Sequence, residues 1–219
     1  MNNCIPSSIE VISYSSNFDS STDLSSIENR ISVFEDAILN WQLNIAKRLI
    51  EEHEDSGFAA LAIVTAYFEM VGKIKFGSSG SERSFIAGFS DVFPEFSSYC
   101  VNEMFRKIIY SALRCALYHN GLTEGNILVN AQATEAVSYN ETPKTLTINV
   151  LLFVKKIIEH FNSLVSELRS NHTLQENFVR RFNYSMATHI SLAADQSQFP
   201  QIPDENRHFY SCCHPYKKV

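Results

Sequence analysis

Arg114 and His119 are the residues in this chain whose types and spacing could do chemistry together. They stand in "FRKIIYSALRCALYHNG", an apolar run that should form a helix and stop at Asn120-Gly121. A guanidinium is a fork of donors that fits a phosphate or a carboxylate. An imidazole, with an unperturbed pKa near ~6.5, can take or give a proton near neutral pH. Spacing sets a condition on any shared role. Positions five apart on an unbroken α-helix point ~140° away from each other. The two side chains could meet only if the helix unwinds at its end, or if a second subunit supplies the missing partner.

The helix that must carry them has two faces. Met104, Phe105, Ile108, Ile109, Ala112, Leu113, Ala116 and Leu117 define a core face, while Glu103, Lys107, Tyr110, Ser111, Arg114 and Tyr118 share a polar strip. On that strip Arg114 would be partly desolvated and would need a partner. Glu69, the single acidic residue in the apolar run "FAALAIVTAYFEMVGKIKF" (58–76), is a candidate. Periodicity alone thus leaves a structural alternative open. In it Arg114–Glu69 is an ion pair only, and His119 is a helix C-terminal residue favoured by the helix dipole.

The pair and its surroundings resemble the HEPN superfamily. The likeness is carried by "RCALYH", an arginine and a histidine separated by the four residues Cys115–Tyr118 near a helix end. It extends through "AYFEMVGKIKFG", "SFIAGFSDVFP" and "ALRCALYHNGLTEGNILV", over roughly residues 58–170. The resemblance implies an all-α, antiparallel helical bundle. It also implies a metal-independent endoribonuclease of the toxin or defence type, needing no cofactor. Such enzymes are homodimers whose motifs meet at the interface, and a neutralising antitoxin or other regulatory protein would be a further partner. By the resemblance His119 would be the general base or acid at the ribose 2′-hydroxyl, and Arg114 would hold the phosphate. Glu69, Lys107 and Tyr118 would support them, with Lys107 steering the RNA backbone. Cys115 departs from the pattern, in which a polar residue often follows the arginine. The alternative is a non-catalytic HEPN-like module that binds a nucleotide or a protein.

The other elements are read from pattern. Residues 1–25 form a serine-rich, loosely held arm with one short candidate strand, "SIEVISYS". Ile27, Ile31, Phe34, Ile38, Trp41, Ile45 and Leu49 make one helical stripe, capped by Ser25 or Ser26. The run 58–76 is apolar nearly all round and should be central. "SERSFIAGFSDVF" predicts a short helix before Pro94, and the motif helix should run from about Ser97 to His119. "NILVN", "EAVSYN" and "KTLTINV" predict a small β-meander at about 126–149, inserted before the last long helix of a bundle spanning 26–190. Val150, Val154, Ile157, Phe161, Leu164 and Leu168 form a further helical stripe, and "TLQENFVRRFNYSMATH" another helix. Residues 191–219 read as a polar tail.

Composition limits the chemistry. With a net charge of −6 and a pI near 5.6, the chain offers no broad basic surface, so any contact with RNA must use a local positive site. Arg180 and Arg181, beside aromatics, make a second candidate RNA patch. No uninterrupted apolar run approaches the ~20 residues that span a bilayer. The N-terminus lacks a basic start and an apolar signal core, which predicts a cytoplasmic protein without a membrane partner. The five cysteines fit a reducing compartment. His208, Cys212, Cys213 and His214 are metal-ligand types, but adjacent cysteines chelate one tetrahedral ion poorly, so no metal is expected. His53, His160, His172 and His189 read as ordinary surface residues.

Overall fold

Ser26 accepts a hydrogen bond from the Asn29 amide and starts α1 (Ile27–Ile38). The computed structural model describes residues 13–19 and 21–193 (over 187–193 the backbone alone), and they are mainly helical. Helix α1 does not stop at Ile38. A π-helical turn, Leu39–Leu43, carries it into α2 (Asn44–Glu52). A π turn closes over one residue more than an α turn and so shifts the phase of the residues after it. The stripe expected through Trp41 is broken for this reason. Trp41 is 46% exposed, and Leu43 and Ala46 take the buried places.

Next come α3 (Gly57–Phe76) and α4 (Ser81–Val92), which pack as an antiparallel pair. Their approach is close enough to exclude side chains at two points. A Cβ on Gly72 would lie 1.9 Å from the Ser84 carbonyl oxygen, and one on Gly88 1.9 Å from that of Phe68. Only glycine fits there. Short 3-10 turns at Pro94–Phe96 and Tyr99–Val101 precede α5 (Glu103–Lys107), which Asn102 caps. The motif helix therefore begins at Glu103 rather than near Ser97. A second π-helical segment, Ile108–Cys115, joins α5 to α6 (Ala116–Asn120), and Gly121, with φ +71°, ends it as expected.

The strands are β1 (Ile127–Val129), β2 (Val137–Asn140) and β3 (Thr145–Ile148). They sit where the alternation placed them but are not a meander. The sheet order is β1-β3-β2, with β1 parallel to β3 and β2 antiparallel to it. Local pattern specifies a strand and not its neighbour. Here the Leu146 amide donates to the Asn126 carbonyl and the Asn130 amide to that of Ile148, which seats β3 in the middle. Two long helices come after the sheet, α7 (Val150–Ser170) and α8 (His172–Ala193), where the two helical patterns put them. Asn149 fixes the junction: it caps α7 at the Leu152 amide and donates to the carbonyls of Ala131 and Ala133.

The core is contiguous and rich in phenylalanine. Phe68, Phe85, Phe89, Phe93 and Phe153 are all buried and lie ring against ring. Every residue of the predicted α7 stripe is buried. By length and composition the stretch Glu54–Phe76 could cross a bilayer. Half of that window is buried inside the bundle, and Glu69, Lys73 and Lys75 on α3 are engaged in ion pairs. The described part of the N-terminal arm is docked rather than loose. Tyr14 and Ser15 are buried, and Asn17 donates from its backbone and its side chain to the Asp36 carboxylate. Most of the candidate strand "SIEVISYS" lies outside the described residues, as do Cys4, His208, Cys212, Cys213 and His214. Helix α8 continues to Ala193, past the boundary expected at 190.

Candidate functional site

The close α3–α4 pairing brings the start of α4 to the middle of α3, and the motif helix lies across both. At this junction Arg114 Nη2 donates to Glu69 Oε2 at 3.2 Å, with both side chains largely covered. The other carboxylate oxygen, Oε1, accepts from Ser81 Oγ at 2.9 Å and from Lys73 Nζ. Burial alone would raise the Glu69 carboxyl. The hydrogen bonds from Lys73 and Ser81 and the nearby charges of Lys73 and Arg114 outweigh it and hold the group below its usual 4.5. For Arg114, burial pulls the other way and the Glu69 charge overcomes it, so the guanidinium stays charged.

Aromatic rings flank the guanidinium. Its central carbon lies 5.9 Å from the Tyr110 ring centroid and 5.3 Å from that of Tyr118. The hydrogen bond to Glu69 grips one corner of the five-donor fork. The structural alternative anticipated this ion pair, and the pair is present.

His119 lies on the exposed side of α6. Among the described residues no hydrogen bond or ion pair reaches its ring. Its one ring neighbour is Tyr118, at 5.3 Å between centroids and an interplanar angle of 88°. The π-helical segment ends at Cys115 and α6 stays wound to Asn120, so the helix does not unwind to bring His119 round to Arg114. Among the described residues Tyr118 is the side chain that lies against both.

The remaining expected site residues are dispersed. Lys107 is exposed on α5, and the π-helical segment between it and Arg114 removes the α-helical phase that put them on one strip. Met104, expected on the core face, is 44% exposed. Arg180 and Arg181 lie on α8, which packs chiefly on α1, α3 and α7. The Arg181 guanidinium sits 5.1 Å from the Tyr184 ring centroid. Cys115 is half-buried and in no disulfide. Among the described residues no cluster of histidine, cysteine and carboxylate side chains could hold a metal ion.

A second polar centre lies elsewhere in the bundle. Tyr67 Oη is 2.7 Å from His160 Nδ1, and His160 Nε2 is 2.8 Å from Asp91 Oδ2. Lys75 Nζ reaches Asp91 at 3.0 Å and Glu167 at 3.3 Å. One arrangement gives every proton an acceptor. Tyr67 donates to Nδ1 of a neutral imidazole, and its Nε2–H donates to Asp91. Burial foremost, then the Asp91 charge, pushes the Tyr67 hydroxyl up, so it stays protonated. Asp91 is held below its usual 3.8, because the hydrogen bonds from His160 and Lys75 outweigh its burial. Sequence did contain one sign of this centre. Tyr67 stands in the most apolar stretch of α3, where a buried phenol needs a hydrogen-bond partner.

No protein-family model, no curated protein and no solved structure matches the chain.

Proposed function

We propose that the bundle is HEPN-like and that the chain is a metal-independent endoribonuclease acting as a cytoplasmic homodimer. One observation supports this most strongly. A charged arginine gripped by a carboxylate at one corner of its fork, and a histidine with no hydrogen-bonding partner among the described residues, occupy the same helix end, joined by one tyrosine. In this mechanism Arg114 binds the scissile phosphate and steadies the charge that builds on it. His119 takes the proton of the ribose 2′-hydroxyl. The 2′-oxygen then bonds to phosphorus while the bond to the 5′-oxygen breaks, leaving a 2′,3′-cyclic phosphate. The second copy's His119, in imidazolium form, protonates the departing 5′-oxygen. Glu69 positions Arg114 by holding its guanidinium. The same Arg114–Glu69 contact favours a second reading, a non-catalytic module in which the pair is structural.

Incubation of a mixed RNA pool in EDTA with wild type, His119→Ala and Arg114→Ala separates the two. Arg114→Ala should fold, because Glu69 keeps Lys73 and Ser81 when the arginine is gone. The ribonuclease reading expects chelator-resistant cleavage with cyclic ends that is lost in both variants. No cleavage by a folded wild-type dimer would overturn it and leave the binding module.

A further inference from the structure

Tyr118 is 77% exposed, the most exposed aromatic side chain among the described residues; Phe76, Trp41, Tyr184 and Phe58 are all below it. Scattered exposed aromatics are normal and need no function. The surroundings of this one are specific. It is held between a guanidinium, 5.3 Å from its centroid, and a perpendicular imidazole, 5.3 Å away. Both neighbours are side chains of its own helix, so the ring has a defined orientation without being covered.

Resting on the ribonuclease reading, we infer that Tyr118 is the stacking platform for a base of single-stranded RNA. That base belongs to the nucleotide whose 2′-hydroxyl attacks. With the phosphate at Arg114 and the 2′-hydroxyl at His119, this nucleotide has its sugar between the two, and the ring that touches both is the one its base would meet. Single-stranded RNA is recognised by splaying a base onto an aromatic face, sequence-tolerantly because every base has a π-face. Arg114 against the same tyrosine ties phosphate and base recognition together. A protein with a net charge of −6 has reason to draw affinity from stacking as well as from charge.

The test uses the full-length protein with a labelled oligoadenylate carrying 2′-O-methyl groups, which cannot be cleaved, and an abasic phosphodiester chain of equal length. Tyr118→Ala should weaken oligoadenylate binding about tenfold and leave abasic binding unchanged, while Tyr118→Trp should match or exceed wild type. Oligoadenylate binding by Tyr118→Ala as tight as wild type, beside intact cleavage of ordinary RNA, would overturn the stacking role and leave the ribonuclease reading standing. So would Tyr118→Ala breaking a wild-type dimer into monomers, since the ring would then be covered by the second copy. A wild type that neither binds nor cleaves RNA would remove the ribonuclease reading and the platform with it.

Discussion

His160 and His119 lie on helices of the same bundle in opposite chemical situations. Both ring nitrogens of His160 are engaged, by Tyr67 on α3 and Asp91 on α4, and Asp91 is further held by Lys75. The His119 ring has no hydrogen-bonding partner among the described residues and faces solvent beside Tyr118. A histidine satisfied on both sides fixes the fold, because changing its protonation must rearrange a network. One satisfied on neither side can exchange a proton with a substrate at little structural cost. The difference separates a centre tied into the fold from a histidine left open to solvent, as the proposed mechanism requires.

The same substitution should therefore have opposite consequences at the two positions. His119→Ala should lower RNA cleavage by roughly a hundredfold to ten-thousandfold, as loss of a general acid–base does. Its melting temperature should stay at wild type, since it leaves no buried group unpaired. Thermal melting and cleavage on one preparation check both parts. His160→Ala should do the reverse. It orphans the buried Tyr67 hydroxyl, at a cost of about 1–3 kcal/mol measurable by urea unfolding, and should leave cleavage per folded molecule unchanged. Tyr67→Phe removes the hydroxyl itself and should cost less, about 1 kcal/mol. If Tyr67→Phe proved more harmful than His160→Ala, the donor assignment in this network would be wrong.

Acid should act on both regions. Glu69 and Asp91 are each held below their usual 4.5 and 3.8. Groups depressed in the folded state contribute stability above their unfolded values, and lose it as pH falls through the lower folded values. Stability should therefore be level above about pH 4.5 and decline below it. Glu69→Gln and Asp91→Asn should each make that decline shallower in urea titrations across the acid range. Arg114→Ala should cost little stability, under about 1 kcal/mol, because Glu69 retains Lys73 and Ser81.

The Arg114–His119 region is more legible in the sequence than the His160 centre. Arg114, His119 and the stop at Gly121 lie within a single helix, where spacing and helix-end chemistry act locally. Glu69 was identifiable as the lone acid in an apolar helix. His160 reads as a surface residue in the sequence because its partners are 93 and 69 residues away in the chain, beyond the reach of periodicity. The two π-helical segments escaped for a different reason. A pattern read at 3.6 residues per turn carries its phase straight through them, which put Trp41 in a core stripe and Lys107 beside Arg114. Strand positions matched the alternation, but the central place of β3 depends on non-local pairing.

The most direct test of the claim that the second copy's His119 completes the site is subunit mixing. Wild type and His119→Ala protein are combined in equal amounts, allowed to exchange subunits and assayed on RNA in EDTA. A heterodimer keeps one His119 beside Arg114 in its wild-type copy but lacks the histidine the other copy should supply, so neither of its sites is complete. Since about half of the wild-type copies in an equal mixture end in heterodimers, cleavage should fall to about half of its value before exchange. A mixture that exchanges subunits yet keeps its full cleavage would contradict the shared site, and an inactive wild type would contradict the catalysis itself.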